Sequence, residues 1–348
     1  PTVEKKVYDN DNNDISSAGN NDGWGSSADH AINEKFKFQL IAKLPASSDR
    51  AYDYYDNYTV RFTDTLSEGI TFDNLDTVEI TNGDGGASQV ITDTHYELGK
   101  NGLPSSFKLS IDDVKTCAPG LNLNNGATIT VTYTAHLNEN ATVNTAYGPN
   151  TTENKNSVYL QYSNNPRIDT SLDWTPTSEV RVYTYQLNNT KYRDDDTTGN
   201  ELAGAGFRLY SDKACNEAQE IKLKKNTDGT YSRYFGTEAG DEMISGNDGQ
   251  FNVKGLDAGT YYLKETKTPD GYSACADKKI VISATHTEYN VNLSGESNLN
   301  NKIINIKAGG ITLPSTGGIG TTIFYVVGGG LMVAAIVLLV TKKRMENK

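Results

Sequence analysis

Residues 128–136 read TITVTYTAH, a stretch in which Ile129, Val131 and Tyr133 alternate with threonines. Successive side chains of a β-strand point to opposite faces of the sheet, so this alternation predicts a strand with one face in a core and the other toward solvent. Short strands of this kind, separated by Gly, Asn and Asp, predict a β-sandwich for the first half of the chain. Further alternating stretches cover residues 3–8, 36–44, 58–66, 78–80 and 157–162.

The composition of the chain favours strands and turns over helices. Its 348 residues include 21 Tyr and 32 Gly, and the length is typical of two domains. The formal net charge of −12 argues against nucleic acid as a partner, because phosphate binding needs clustered Lys and Arg.

No catalytic or metal-binding pattern stands out in the sequence. The four histidines, His30, His95, His136 and His286, have neither metal-ligand spacing nor a nucleophile pattern nearby. Residues 9–14, DNDNND, begin like a calcium loop but lack the Gly and the closing Glu of an EF-hand. The sequence therefore predicts no enzyme activity, no cofactor and no metal.

The last part of the chain predicts a membrane-spanning helix. Residues 323–340 form an apolar run without charge, just long enough to cross the hydrocarbon core of a bilayer, and Lys342, Lys343 and Arg344 follow it. Basic residues beside a span stay on the cytoplasmic side. The rest of the chain is therefore expected outside the cell, and the absence of a Met or signal peptide at Pro1 indicates a fragment or processed form.

Residues 313–317, LPSTG, lie just before this apolar run and resemble the LPXTG cell-wall sorting signal of Gram-positive surface proteins. The resemblance implies that sortase, a cysteine transpeptidase, cleaves between Thr316 and Gly317. An amine of the peptidoglycan or of another subunit would then resolve the acyl-enzyme, and the helix would hold the chain in the membrane only until cleavage. The motif residues are Leu313, Pro314, Ser315, Thr316 and Gly317.

Four segments of the first half resemble the isopeptide-forming middle domain of Gram-positive fimbrial subunits, an immunoglobulin-like sandwich related to the A-type collagen-adhesin repeat. They are PTVEKKV (1–7), NYTVRFTDTLSEGITF (57–72), ATITVTYTAHLNENATV (127–143) and ENKNSVYLQYSNNP (153–166). The resemblance implies an amide between Lys5 and Asn156, promoted by the acid Asp64. Strand parity agrees, because each of the three falls in an inward apolar row.

A core that holds a lysine and a carboxyl changes their chemistry. Burial disfavours the charged form of each group, which leaves a neutral amine beside a protonated acid. Such an acid polarises an amide carbonyl and moves protons while ammonia leaves.

The segment YLKETKTPDGY (262–272) resembles the E-box, LxETxAPxGY, of the B-type collagen-adhesin repeat, an inverse immunoglobulin sandwich; Thr268 replaces Ala. The resemblance implies Glu265 as the acid, Lys191 as the amine and Asn305 as the acyl partner, with Asn300 and Asn301 as alternatives. Some pilin domains of this type carry a disulfide, which implies a Cys215–Cys275 bond and leaves Cys117 free.

The predicted fold class is mainly β, with two tandem immunoglobulin-like β-sandwich domains plus a C-terminal transmembrane helix. The expected divisions are an isopeptide-forming middle domain (1–172), a linker (173–179), a B-type domain (180–307) and the sorting signal (308–348).

These features predict a structural subunit of a sortase-assembled pilus, fixed at the cell surface to peptidoglycan and joined to neighbouring pilin subunits. The alternative is a monomeric wall-anchored adhesin or a minor pilin, which adds a host surface ligand as partner. Shaft pilins of this family carry a linking lysine in a YPKN motif at the end of an N-terminal domain, and that motif does not occur here. The sequence therefore leaves shaft subunit and minor subunit both open.

Overall fold

The computed structural model of the chain describes residues 1–11, 22–100, 102–143 and 153–308. The LPSTG motif, the predicted helix 323–340 and the basic tail lie outside these residues. Within the described ranges, no helix has the length and apolar character needed to cross a membrane.

The first half of the chain forms two sheets that enclose one hydrophobic cluster, and we call this unit the first sandwich. The strands are β1 (Thr2–Tyr8), β2 (Trp24–Gly25), β3 (Ser27–Asp29), β4 (Lys35–Leu44), β5 (Val60–Leu66), β6 (Ile70–Asn82), β7 (Gln89–Val90), β8 (Glu97–Gly99), β9 (Ser106–Ile111), β10 (Ala127–Leu137), β11 (Lys155–Ser163), β12 (Leu172–Trp174) and β13 (Ser178–Tyr183). One sheet has the order β2-β1-β4-β10-β6-β7, and the other has the order β3-β13-β11-β5-β9-β8 with β12 beside β11.

The alternation in β10 explains its central place in the first sheet. Every second residue of β10 is buried, from Ala127 to Leu137, and the strand pairs antiparallel with β4 on one side and β6 on the other. An inward row of Ile129, Val131 and Tyr133 thus faces the second sheet across the core. The predicted strands of this half are confirmed, and 3₁₀ turns at Ala51–Tyr54, Val114–Thr116 and Leu123–Asn125 connect some of them.

The second half forms a separate hydrophobic cluster between two further sheets, which we call the second sandwich. The strands are β14 (Tyr185–Arg193), β15 (Gly206–Tyr210), β16 (Glu220–Ile221), β17 (Leu223–Lys225), β18 (Tyr231–Arg233), β19 (Met243–Ile244), β20 (Val253–Leu256), β21 (Gly259–Lys267), β22 (Lys278–Ile282), β23 (Ala284–His286), β24 (Val291–Leu293) and β25 (Asn300–Asn305). The sheets have the orders β17-β18-β20-β14-β25 and β16-β15-β21-β22, with β19 beside β15 and a β23-β24 pair. A 3₁₀ turn lies at Glu217–Gln219.

The passage between the sandwiches differs from the predicted linker 173–179. The strand β12 pairs with β11, and β13 lies antiparallel to β11 and parallel to β3, so most of this segment belongs to a sheet of the first sandwich. Val182 packs in the first hydrophobic cluster and Tyr183 in the second. The Pro, Thr and Ser residues that suggest a break therefore mark strand ends rather than a free linker.

The two sandwiches meet directly at the end of β3. The backbone N–H of Ile32 donates to the carbonyl of Gly255 at 3.0 Å. Gly255 has a φ of +80°, and a Cβ there would lie 2.3 Å from Ile32 Cγ1. Only glycine permits both this backbone conformation and this close approach.

Candidate functional site

The first sandwich holds a buried cluster of Lys5, Asp64, Asn156 and Tyr133, all on inward rows. Lys5 and Tyr133 come from the β1-β4-β10 sheet, whereas Asp64 and Asn156 come from the facing sheet, where they lie on the paired strands β5 and β11. The amine of Lys5 contacts Asp64 Oδ2 directly. The structure therefore brings together all three residues that the sequence assigned to one reaction.

Burial dominates the electrostatics of this cluster. Desolvation lowers the pKa of Lys5 to about 8, although the neighbouring Asp64 raises it in part. Desolvation also raises the pKa of Asp64, against the opposing effect of Lys5 and Tyr133. Both changes shift the two groups toward their uncharged forms, a free amine and a protonated acid.

Tyr133 is a site residue that the sequence analysis missed. Its phenol oxygen accepts from Lys5 Nζ at 3.2 Å and from Asn156 Nδ2, and its hydroxyl donates to Asp64 Oδ1 at 3.1 Å. The available signal was a hydroxyl on an otherwise apolar inward row, because a buried phenol needs a partner. Tyr133 thus connects the amine, the acid and the amide.

The second sandwich repeats this arrangement with Lys191, Glu265 and Asn305, whose side chains are buried. Lys191 Nζ contacts Asn305 Oδ1 and lies 3.6 Å from Glu265 Oε1. Asn305 Nδ2 donates to the same Glu265 oxygen at 2.7 Å. Burial lowers the pKa of Lys191, against opposing effects of Cys275 and Glu265. Here the carboxyl lies at the amide nitrogen, which is the group that leaves when an amine attacks Asn305 Cγ.

The departure from the E-box pattern at Thr268 has a structural consequence. The hydroxyl of Thr268 donates to Glu265 Oε2 at 3.2 Å, and the backbone N–H of Cys275 donates to the same oxygen at 3.0 Å. These two donors orient the carboxyl so that Oε1 faces the lysine and the asparagine.

The pairing of β14 with β25 distinguishes Asn305 from its two alternatives. The strands run parallel, with Lys191 opposite Ile303, so Asn305 is one step along the inward row. Asn301 instead donates to Asn189 Oδ1 at 3.1 Å, and Asn300 accepts from Asn188 at 3.0 Å on the exposed face. Asn305 is therefore the asparagine that the fold places at Lys191.

The expected Cys215–Cys275 disulfide is not formed in the structure, where Cys117, Cys215 and Cys275 are all free. The two thiols have different surroundings. Burial is the main cause of the raised pKa of Cys215, and Asp277 raises it further. Burial also raises the pKa of Cys275, where Lys191 acts in the opposite direction and Glu265 raises it further. Cys275 thus belongs to the surroundings of the second lysine, and the disulfide expectation is corrected.

Two family models match the sequence. The SpaA prealbumin-like fold domain matches residues 187–297, a range that contains Lys191 and Glu265, and the LPXTG cell wall anchor motif matches residues 305–347. A comparison with curated proteins finds no match.

Solved structures of bacterial pilins resemble the chain over most of its length. The backbone protein of pilus 2b from group B streptococcus is 26% identical with a TM-score of 0.57, over 80% of this chain and 95% of that chain. These findings support an LPXTG-anchored pilin subunit.

Two more distant pilins have the same fold. The 35 kDa C-terminal fragment of the major pilin GBS80 from Streptococcus agalactiae is 18% identical with a TM-score of 0.57, over 87% of this chain and 99% of that one. The pilus backbone RrgB from Streptococcus pneumoniae is 16% identical with a TM-score of 0.52, over 88% and 99%. At these identities the likeness concerns the fold alone.

Proposed function

We propose that the chain is a structural subunit of a pilus that a sortase assembles and attaches covalently to the Gram-positive cell wall. The observation that carries the proposal is the combination of an LPXTG anchor match at residues 305–347 with a 26% identical pilus backbone protein that aligns over 80% of the chain. Sortase would cleave between Thr316 and Gly317 after the apolar segment has held the chain in the membrane. The partners are then the sortase, neighbouring pilin subunits and an amine of peptidoglycan.

Two intramolecular isopeptide bonds belong to the same proposal, Lys5–Asn156 and Lys191–Asn305. In each, the neutral lysine amine attacks Cγ of the asparagine, a C–N bond forms, the Cγ–Nδ2 bond breaks, and ammonia leaves with the proton that the amine gives up. In the first cluster, Asp64 contacts the amine and Tyr133 contacts the amide nitrogen, so the two together span the proton path. In the second, Glu265 lies at the amide nitrogen itself.

The strands that these bonds would join suit a mechanical role. Lys5 and Asn156 lie on β1 and β11 in facing sheets, and Lys191 and Asn305 lie on the neighbouring strands β14 and β25, 114 residues apart in the chain. Each bond would connect an early strand of a sandwich with a late one. Tension along the fibre would then pass through covalent bonds instead of unfolding the sandwich. The chemistry occurs once at each of the two sites and acts on the chain itself, so the proposed role is structural and not that of an enzyme.

An immunoblot of boiled, detergent-treated cell-wall extract tests the assembly. Serum against this chain is expected to stain a ladder of regularly spaced high-mass bands, because covalent polymers resist boiling. Deletion of residues 313–317 is expected to collapse the ladder to monomer. A single wall-linked band near monomer mass in the unmutated strain would contradict polymerisation and favour the singly anchored adhesin.

A further inference from the structure

Three buried side chains with metal-ligating atoms meet where the two sandwiches join. Asp9 follows β1 and Asp29 ends β3 in the first sandwich, whereas His286 ends β23 in the second. His286 Nε2 lies 3.5 Å from Asp9 Oδ2 and 3.6 Å from Asp29 Oδ1, and one ligand atom of each residue lies within 4.8 Å of the others. The isopeptide clusters do not include any of these residues.

The imidazole of His286 is fully buried and held in one orientation. Its Nδ1 forms a hydrogen bond with Ser27 Oγ at 2.8 Å, and its ring packs against that of Tyr183. Its Nε2 points toward the two carboxylates, and among the residues that the structure describes it has no hydrogen-bond partner. A buried ring nitrogen without a hydrogen bond costs free energy comparable to a lost hydrogen bond, and a bound ligand would remove this cost.

Metal-binding histidines usually bond their second ring nitrogen to an oxygen, which fixes the ring so that the first nitrogen faces the metal. Ser27 has this relation to His286. Tyr185 has a comparable relation to Asp29, because its hydroxyl donates to Oδ2 at 2.7 Å while Oδ1 faces the histidine. Two of the three ligand atoms, His286 Nε2 and Asp29 Oδ1, are thus oriented by a residue that holds the other end of the side-chain group.

Two buried carboxylates meet at this point. Asp9 and Asp29 are 2% and 1% exposed, and each has an oxygen within 3.6 Å of the same His286 nitrogen. Buried carboxylates are stable when they are protonated, paired or bound to a metal. A cation held by Asp9 and Asp29 would also supply a partner for His286 Nε2.

We propose that Asp9, Asp29 and His286 bind a Zn²⁺ ion that joins the two sandwiches. Two ligands that each lie 2.1 Å from a metal are about 3.4 Å apart at a tetrahedral angle and about 3.0 Å apart at a right angle. The separations of 3.5 and 3.6 Å suit the tetrahedral case. Imidazole nitrogen together with carboxylate oxygen also suits zinc, whereas calcium takes oxygen ligands alone. The site would add a metal link at a junction that already has the Ile32–Gly255 backbone contact, and it depends on neither isopeptide bond.

Metal titration of the full-length chain tests the proposal. The chain is purified in mild detergent, dialysed against chelator and titrated calorimetrically with ZnCl₂, and bound zinc is measured by elemental analysis. One zinc per chain is expected, together with a higher unfolding temperature, because a ligand of the folded state stabilises it. CoCl₂ is expected to give the visible absorption of a tetrahedral Co²⁺ site, and CaCl₂ is expected to bind at least tenfold more weakly.

Variants separate this site from other histidine and carboxylate groups. His286→Gln is expected to weaken zinc binding about a hundredfold and to abolish the Co²⁺ absorption, since it removes a direct ligand. His136→Gln is the matched control, because His136 pairs with Asp73 on the first sandwich, at 2.9 Å from Oδ2. The neighbouring group of His30, Glu34 and Asp257 is tested with His30→Gln. Absence of zinc binding, unchanged binding in His286→Gln, or a loss in His30→Gln alone would each overturn the proposal.

Discussion

Tyr133 donates a hydrogen bond to Asp64 Oδ1 at 3.1 Å, and this contact connects the two sheets of the first sandwich. The phenol oxygen also accepts from Lys5 Nζ at 3.2 Å and from Asn156 Nδ2. A single hydroxyl thus holds the attacking amine and the leaving amide nitrogen within hydrogen-bond distance of one oxygen. Such placement of reacting groups is a large part of what a protein contributes to a reaction between them.

Tyr133→Phe is therefore expected to slow formation of the Lys5–Asn156 bond on the order of tenfold to a hundredfold without unfolding the sandwich. The ring contacts with Phe38, Phe72 and Phe107 need no hydroxyl. Intact-mass measurements at increasing times after synthesis follow the loss of ammonia. Tyr52→Phe is the control, because the Tyr52 hydroxyl donates to Pro45 O, outside the cluster. Ammonia loss from Tyr133→Phe at the unmutated rate would contradict the role.

The carboxyl groups of Asp64 and Glu265 are expected to be required for the isopeptide bonds, one carboxyl for each bond. The unmutated chain should weigh less than its sequence mass by two ammonias. The Asp64→Asn and Glu265→Gln variants should each weigh less than their own sequence mass by only one. Each variant should also lose about 4 to 5 kcal/mol of stability, by analogy with a disulfide that closes a loop of 100 residues or more. Intact mass and denaturant unfolding measure the two effects.

Asp73→Asn is the matched control for these carboxyl variants, since Asp73 accepts from His136 and lies outside both clusters. It should retain both bonds. Full sequence mass in the unmutated chain would refute the isopeptide proposal altogether.

Strand parity made much of the fold and of the first cluster predictable, whereas Lys191 and Asn305 of the second cluster came from the family resemblance. In a strand the side chains alternate, so a polar residue at an inward position is visible in the sequence, as for Lys5 between Val3 and Val7. The mainly β fold is confirmed, and Lys5, Asp64 and Asn156 are buried on the inward rows where the alternation places them. The chemistry of the bonds stays a prediction.

Contacts between distant segments were not predictable in the same way. The parallel pairing of β13 with β3 and the meeting of His286 with Asp9 and Asp29 join residues far apart in sequence, and no local pattern specifies them. The Pro and Thr residues near residue 176 indicated a linker because strand ends and linkers share the same composition. The role of Tyr133 was hidden because a tyrosine also fits an apolar row.

The choice among three asparagines gives a further test. Asn305→Ala is expected to weigh one ammonia less than its own sequence mass instead of two, because Lys191 then has no acyl partner. Asn301→Ala is the control, since the Asn301 amide donates to Asn189 and does not contact Lys191. Intact mass distinguishes the two variants in one measurement. If Asn301→Ala lost one ammonia and Asn305→Ala lost two, the bond would be assigned to Asn301 instead.

The thiols are expected to be unpaired. Alkylation in denaturant without reductant should modify Cys117, Cys215 and Cys275 alike, because the structure places Cys215 near Asp277 and Cys275 near Lys191 and Glu265. Peptide mass mapping counts the modified thiols. Modification of Cys117 alone would restore the disulfide expected from the family resemblance.

The burial of Lys5 also predicts a pH dependence in a chain that lacks the first bond. In Asn156→Ala the Lys5 amine remains free, with a pKa lowered from 10.5 to about 8 by desolvation. Between these pH values the unfolded chain binds a proton at Lys5 that the folded chain has lost. Unfolding therefore takes up a proton, and the free energy of unfolding rises with pH by up to about 1.4 kcal/mol per pH unit, or about 3 kcal/mol in total.

The unmutated chain is the control for this measurement, because an amide at Lys5 has no titrating amine. Its stability advantage over Asn156→Ala is expected to shrink between pH 8 and 10.5. Asp64 acts in the opposite direction from pH 3.8 upward, since burial raises its pKa and the folded chain keeps a proton that the unfolded chain has lost. The comparison is made above pH 8, where the Lys5 amine titrates, by denaturant unfolding at closely spaced pH values. A constant difference across that window would mean that Lys5 keeps its ordinary pKa when folded, and the neutral-amine step of the proposed reaction would then lose its physical basis.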